Sequence, residues 1–127
     1  MQVTQTTELV QAYYGSWKHG IASFDEARLR AIIAPDLKFE GPIAGKRVGG
    51  DSFLRGLADF VKALKTFESI QELHAGNESA ALYDCTVGAS GGTLRFAEFF
   101  RVQDDRIQEI KLVYDPAEFR RLTAPAA

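Results

Sequence analysis

Cysteine and histidine are scarce in this sequence, and long apolar runs are missing. Its 127 residues include one cysteine, Cys85, and two histidines. A lone cysteine excludes an internal disulfide and a cysteine-rich metal site, and the histidines stand in no metal-ligand spacing such as HExxH. No apolar run approaches the roughly 20 residues of a membrane span, and MQVTQTTELVQAYY lacks the pattern of a signal peptide. We therefore expect a cytoplasmic protein with no metal site and no membrane association.

An excess of charge of one sign is also missing. The formal net charge is −2, the sequence pI is about 5.7, and the 15 basic residues are scattered along the chain. Nucleic-acid surfaces need clustered basic residues, so we expect no nucleic-acid partner. What is present, 46% hydrophobic and 25% charged residues, is typical of one globular domain that buries a full core and still encloses a pocket. Only the C-terminal TAPAA, residues 123–127, is expected to be loose.

Apolar residues at helical spacing predict three helices in the first half of the chain. The first is expected over residues 7–19, and the second after a cap at Asp25 with its end at Pro35. Asp51 is expected to cap the third helix. The apolar faces comprise Val10, Tyr13, Tyr14 and Trp17, then Leu29, Ile32 and Ile33, and finally Phe53, Leu57, Phe60, Val61 and Leu64.

The stretch between the second and third helices is expected to be mostly irregular. Residues 37–41, LKFEG, predict a brief extended piece. The glycine-rich GKRVGG, residues 45–50, lacks the GxxxxGK[ST] order of a phosphate-binding loop. It is expected to be a flexible lead into the third helix.

Alternating residues and turn signals predict four strands in the second half. They are expected over residues 66–77, 78–87, 93–104 and 106–115, joined by Gly-Asn, Ser-Gly-Gly and Asp-Asp turns. Connections this short make neighbouring strands antiparallel. A short helix at 116–122 is expected to follow. Helices followed by an antiparallel meander predict an α+β fold whose helices cover one face of the sheet.

Glu98 stands out within TLRFAEFFRV, residues 93–102. Alternate strand residues share a face, which places it in the row Leu94, Phe96, Glu98, Phe100 and Val102. An ionised carboxylate buried there without partners costs many kcal/mol, so Glu98 is expected to be paired, or neutral with a raised pKa. It is either a hydrogen-bond donor or proton carrier facing a pocket, or a structural carboxylate bonded to a tyrosine or arginine.

Two other reactive residue types are expected to be structural. His74 lies in a row with Glu68, Ile70 and Glu72 that reads as solvated, so an exposed histidine is expected. Cys85 shares a strand face with Tyr83 and Val87, which indicates a small buried apolar side chain.

The stretches QAYYGSW, IIAPDLKFEGP and RFAEFFRVQDDRIQEIKLVYDP, with their spacing, resemble the nuclear transport factor 2-like superfamily. Within it the chain is most similar to the SnoaL-like branch, which includes polyketide cyclases and, more distantly, ketosteroid isomerase. The resemblance covers roughly residues 7–120 and implies a single SnoaL-like domain over 1–127. It further implies a curved antiparallel sheet wrapped with three N-terminal helices into a cone. An apolar pocket would lie at the open end, and the outer sheet face would often form a homodimer.

Ketosteroid isomerase combines a tyrosine on the first helix, a protonated acid on the third strand and an aspartate base before a proline. By resemblance these parts fall on Tyr13, Glu98 and Gly41, so two match and the base is absent. Asp115 is a substitute base, or more simply the N-cap of the helix that follows it.

Three hypotheses for function follow. In the first, the chain is a cofactor-independent isomerase or cyclase, and Tyr13 and neutral Glu98 polarise the carbonyl of an apolar small molecule. The residues expected to line its pocket are Trp17, Tyr14, Phe39, Phe60, Phe96 and Phe100, although Tyr14 is also expected to pack against the third helix. In the second, the same pocket binds an apolar ligand without chemistry. In the third, the chain is a structural dimeric adaptor that uses the outward row Arg95, Ala97, Phe99 and Arg101.

Overall fold

The computed structural model describes residues 3–125 as an α+β fold, as predicted. In chain order the elements are α1 (Val3–Gly15), a 3₁₀ turn (Ile21–Ser23), α2 (Glu26–Ile32), β1 (Ile33–Gly41), β2 (Gly45–Val48), α3 (Gly50–Ala63), β3 (Leu64–Ala75), β4 (Glu78–Val87), β5 (Gly92–Gln103), β6 (Arg106–Val113) and α4 (Pro116–Thr123). Of the tail expected to be loose, residues 126–127 lie outside the described part. No helix of residues 3–125 is both long enough and apolar enough to cross a membrane.

The six strands form one open, curved sheet in the order β2-β1-β6-β5-β4-β3. Strands β3 to β6 form the predicted antiparallel meander. The first strand joins it differently, because β1 pairs in parallel with β6. Register shifts in β3 and β6 bend the sheet, and α1, α2 and α3 cover its concave face.

Two predicted helix boundaries are wrong. The first helix runs over Val3–Gly15 rather than 7–19, so that Trp17 lies in a turn beyond its end. The second helix ends at Ile32, and Ile33 and Pro35 already belong to β1. Proline disfavours helical geometry at the residue before it, which moves the start of the extended segment upstream.

The predicted caps are partly confirmed. The Asp25 carboxylate accepts a hydrogen bond from Arg28 N and caps α2, as expected. Asp51 does not cap α3, because the N-cap is Gly49 and Asp51 lies in the first turn. There its carboxylate forms an ion pair with Arg30 of α2, which ties the two helices together.

The glycine-rich stretch before α3 is not a flexible lead. Residues Gly45–Val48 form β2, which pairs antiparallel with β1 so that Phe39 stands opposite Arg47. A three-residue turn between Gly41 and Gly45 closes this hairpin. The hairpin extends the sheet and brings one basic side chain onto the face that Phe39 occupies.

A bulge in β3 also overturns the expectation of an exposed His74. The register shifts between Ser69 and Gln71, so Glu72 and His74 turn to the inner face opposite Ala81 and Ser79. The His74 side chain is 16% exposed, and its Nδ1 lies 2.7 Å from Ser79 Oγ. Cys85 is buried, as expected, and its thiol pKa is raised mainly by that burial.

We predict that Gly88→Ala destabilises the fold and loosens α4. Gly88 has φ +74°, and a Cβ there would come within 1.9 Å of the Leu122 carbonyl oxygen. The backbone and α4 cannot both stay in place, so we expect the free energy of unfolding to fall by about 2 kcal/mol or more. Urea denaturation monitored by circular dichroism measures it.

The matched control is Gly76→Ala, at φ +58° with nothing within 4 Å of the added methyl group. It should cost only the backbone term of about 1 kcal/mol. Equal losses in the two variants would show that the α4 contact contributes nothing.

Candidate ligand-binding cavity

A cavity of about 560 Å³ lies between the concave face of the sheet and helices α1, α3 and α4. This size is typical of sites that hold a small organic molecule. Its walls are largely aromatic and include Trp17, Phe39, Phe53, Phe60, Phe96 and Phe119. An apolar ring compound fits such a surface, because aromatic side chains offer large contact areas.

The carboxyl group of Glu98 lies at the floor of the cavity and accepts three hydrogen bonds. Its side chain is almost fully buried, with the residue 1% exposed. Oε1 accepts from the Tyr14 hydroxyl at 2.8 Å and from the Tyr83 hydroxyl at 2.9 Å, and Oε2 accepts from the Tyr13 hydroxyl at 3.0 Å. Since each carboxylate oxygen can accept about two hydrogen bonds, Oε2 keeps one acceptor position unused by the described residues.

The strand and helix positions explain why these groups meet. Strand β5 turns Glu98 inward, and its neighbour on β4 is Ala81. Tyr83 lies two residues farther along β4 on the same face. Tyr13 and Tyr14 reach down from the last turn of α1. Helix α1 and strands β4 and β5 therefore meet at this one cluster of hydrogen bonds.

Two opposing effects set the pKa of Glu98. Burial is the larger and raises the pKa, whereas the hydroxyls of Tyr14, Tyr83 and Tyr13 stabilise the charged form and lower it. The resulting pKa is about 7. The tyrosine pKa values are all raised, mainly by burial and then by the Glu98 charge, so these hydroxyls remain donors. Near neutral pH the carboxyl group therefore exists in both protonation states and can accept or release a proton.

The indole N–H of Trp17, a residue of the cavity lining, is a second buried polar group near the floor. Its nitrogen has no hydrogen-bond partner of acceptable geometry among residues 3–125. Burial is the largest effect on the pKa of the neighbouring Tyr13 hydroxyl and raises it, whereas the nearby Trp17 indole lowers it. A buried donor without a partner costs about 1–3 kcal/mol.

The mouth of the cavity is polar, in contrast to its aromatic walls. Arg47 of β2 and Ser52 and Asp59 of α3 line it, and Arg47 and Asp59 are exposed. Asp59 has its own partner, the Lys62 ammonium at 3.6 Å. Residues 3–125 contain no cluster of three or more acidic, histidine or cysteine side chains that could hold a metal ion.

The structure brings most of the sequence-predicted residues to the cavity. Tyr13 and Glu98 are hydrogen-bonded at the floor, and Trp17, Phe39, Phe60 and Phe96 form walls. Tyr14, Phe100 and Asp115 lie outside the lining. The Tyr14 ring packs against the ring of Phe67 on β3 rather than against α3. Tyr14 therefore contacts the cavity only indirectly, through its hydrogen bond to Glu98.

Phe100 sits deeper in the core, 5.4 Å from the Tyr13 ring centroid, because β5 continues past the floor. The Asp115 carboxylate accepts from Ala117 N at 3.0 Å and Glu118 N at 3.2 Å, so it caps α4. These bonds hold its side chain at the helix terminus rather than in the cavity.

The sequence reasoning misses several residues of the cavity lining, among them Tyr83, Arg47 and Asp59. Pairing across the β4–β5 turn, where Val87 stands opposite Gly92, places Ala81 opposite Glu98 and Tyr83 two residues away on the same face, so this signal was present. The glycines around Arg47 hide the short strand that carries it. Asp59 carries no signal beyond its place one residue before Phe60 on α3.

The family model of the SnoaL-like domain matches residues 10–110, which is most of the chain. The chain therefore belongs to the SnoaL-like domain family. No curated protein matches it.

Solved structures show the same fold at low sequence identity. A candidate SnoaL-like polyketide cyclase from Jannaschia sp. CCS1 is 14% identical, with a TM-score of 0.78 over 97% of this chain and 94% of that one. A candidate ketosteroid isomerase from Kribbella flavida DSM 17836 is 18% identical, with a TM-score of 0.75 over 98% and 84%. A de novo designed protein with a curved β-sheet is 19% identical, with a TM-score of 0.77 over 95% and 93%. Likeness at this level shows the fold alone.

We predict that Glu98→Gln removes a pH dependence of stability. The folded pKa of about 7 is above the ordinary value of 4.5, so the folded state holds more protons than the unfolded state between these values. The free energy of unfolding therefore decreases as the pH rises through this window, by about 2–3 kcal/mol between pH 5 and pH 8. Urea denaturation at the two pH values measures the change.

Glu98→Gln should flatten this change, because its amide does not titrate. Glu8→Gln, the same substitution on the exposed side of α1, should leave it intact. A wild-type chain that gains stability between pH 5 and pH 8 relative to Glu98→Gln would contradict the assignment.

Proposed function

We propose that this SnoaL-like protein binds an apolar ring compound carrying a carbonyl group and moves a proton on it without a cofactor. The observation that carries the proposal is the buried carboxyl group of Glu98, with a pKa of about 7, at the floor of an aromatic cavity. A group that titrates near the working pH is suited to both removing and returning a proton. The reaction is of the isomerase or cyclase type.

The proposed step uses the two groups at the floor. In its ionised form, Glu98 accepts through Oε2 a proton from the carbon next to the carbonyl. The electron pair of the broken C–H bond moves into the carbonyl group and leaves an enolate. The unpartnered indole N–H of Trp17 donates to the developing oxyanion. Return of the proton to another carbon gives an isomer. Attack of the enolate carbon on a second carbonyl instead closes a ring, and the proton on Glu98 then passes to the new alkoxide oxygen.

The tyrosines have a supporting part in this scheme. Tyr13, Tyr14 and Tyr83 donate to Glu98, so they stabilise its carboxylate and lower the pKa that burial has raised. When Glu98 takes up a proton, the Tyr13 hydroxyl becomes free to turn to the ligand. The protonated acid and the Tyr13 hydroxyl then stabilise the enolate oxygen until the proton returns.

A second candidate function is binding without chemistry. The position of the aspartate base in ketosteroid isomerase is Gly41 here, and a Cβ at Gly41 would already lie 3.2 Å from the Phe39 ring. If Glu98 only anchors a ligand oxygen, the same cavity serves as an apolar binding module.

Solvent deuterium separates the two functions. β-Tetralone has acidic hydrogens next to its carbonyl group, and we expect the wild-type chain to exchange them with D₂O faster than buffer alone. The rate should rise with pH through about 7, as the carboxylate forms. Glu98→Gln should lower it by about 100-fold or more, the range of a lost general base. Proton NMR of the ketone measures the exchange.

Tyr14→Phe is the matched control, since Tyr14 touches Glu98 but does not line the cavity. It removes a donor that favours the carboxylate, so the exchange should persist with its midpoint moved to higher pH. Exchange that survives Glu98→Gln would rule out the proton step. Binding of β-tetralone with no exchange in any variant would favour the binding module.

We also propose that two copies associate through the outer face of the sheet. Register places Leu73, Ala80 and Phe99 side by side across three strands, with Leu82, Ala97 and Val113 next to them. Leu73 is 60% exposed, Phe99 48% and Val113 58%. Contiguous exposed apolar side chains of this kind mark interaction surfaces, and the ion pair between Asp84 and Arg95 flanks them.

Phe99→Glu tests this association. A carboxylate at the centre of the apolar surface would lose its water in the dimer, and the Lys111 ammonium opposite it is already paired with Glu109, so we expect at least a tenfold weaker dimer. Sedimentation velocity over a concentration series measures it. Ile21→Glu places the same charge on an exposed apolar residue away from the sheet and should leave the dimer intact. A wild-type chain that sediments as a monomer would contradict the proposal.

A further inference from the structure

Arg47 carries an unused charge on the wall of the cavity. It stands opposite Phe39 in the β1–β2 pair, and both residues line the cavity. Its strand neighbours Lys46 and Val48 turn to the other face, where they border a shallower groove. Arg47 also borders that groove, so its strand separates the two spaces.

The guanidinium group of Arg47 has no acidic partner among residues 3–125. Nε donates to the Ala44 carbonyl oxygen at 3.0 Å, and this bond fixes the side chain beside its own hairpin. No described carboxylate forms an ion pair with Arg47, and Asp59 across the mouth is engaged by Lys62. The two terminal nitrogens remain as a fork of donors, a geometry that matches a carboxylate.

The two ends of the cavity therefore differ in what they accept. At the floor the Glu98 carboxyl group, when ionised, repels a second anion, so this end of the cavity favours a neutral group. At the mouth an arginine without a counter-ion attracts an anion. A ligand with a carboxylate at one end and a ring ketone at the other satisfies both ends in only one orientation.

We propose that the ligand of this cavity is an apolar ring carboxylic acid whose acid group is held by Arg47 at the mouth. This inference rests on the proposed function, because it places the ring of the same ligand against Glu98. The carboxylate acts as the handle, and the ring end is directed to the floor.

Pyrenebutyric acid and its methyl ester form a matched pair of probes, because they share ring and chain and differ in charge. We expect the wild-type chain to bind the acid about tenfold more tightly than the ester, the contribution of one charge-assisted pair. The quenching of pyrene fluorescence by the aromatic walls reports binding. The preference should shrink as salt is added.

Two variants locate the preference. Arg47→Gln should lower the affinity for the acid to that for the ester, and Arg47→Lys should retain part of the difference. Lys46→Gln removes a charge that borders only the outer groove, and it should leave the preference unchanged. An equal loss in Lys46→Gln, or a preference that survives Arg47→Gln, would overturn the inference.

The probes also separate this inference from the function on which it rests. Equal binding of acid and ester by the wild-type chain would overturn the role of Arg47 and leave the apolar cavity in place. If the wild-type chain binds neither probe and does not bind β-tetralone, the cavity is not a ligand site and the inference fails with it.

Discussion

The contact between one carboxyl group and three tyrosine hydroxyls determines how the helical layer sits on the sheet. Burying Glu98 is unfavourable unless hydrogen bonds replace water, and here the replacement comes from α1 and β4 together. The Tyr13 hydroxyl reaches Oε2 and the Tyr14 hydroxyl reaches Oε1. Because both must be in place at once, these bonds fix the rotation of α1 about its axis. The floor of the cavity is therefore also the point at which helix and sheet are joined.

These hydrogen bonds leave the Glu98 carboxyl group able to be protonated or ionised near neutral pH. Burial opposes the charge, the hydroxyls favour it, and the balance places the pKa of Glu98 at about 7. A structural carboxylate with stronger partners, such as Glu109 beside Arg101, has its pKa lowered instead. Both oxygens of Glu98 therefore accept hydrogen bonds while the group still titrates near neutral pH, which is unusual for a carboxyl group with a purely structural role.

The fold of this molecule does not by itself assign an activity. A designed protein shares the curved sheet, and so do a candidate polyketide cyclase and a candidate ketosteroid isomerase. What distinguishes one member from another is the set of side chains on the cavity. In this chain that set combines aromatic walls, an acid at the floor with a pKa of about 7 and an arginine at the mouth.

Local patterns in the sequence determined the helices, the meander and the inward row of Glu98, and they favoured the cap at Asp115, because periodicity and turn chemistry act over a few residues. They also determined that Glu98 needed partners, without naming Tyr14 and Tyr83. Only the tertiary structure decided those partners, the parallel pairing of β1 with β6, the place of Arg47 and the inward turn of His74. Each depends on how distant segments pack or on a bulge that shifts the register by one residue, and neither leaves a local signal.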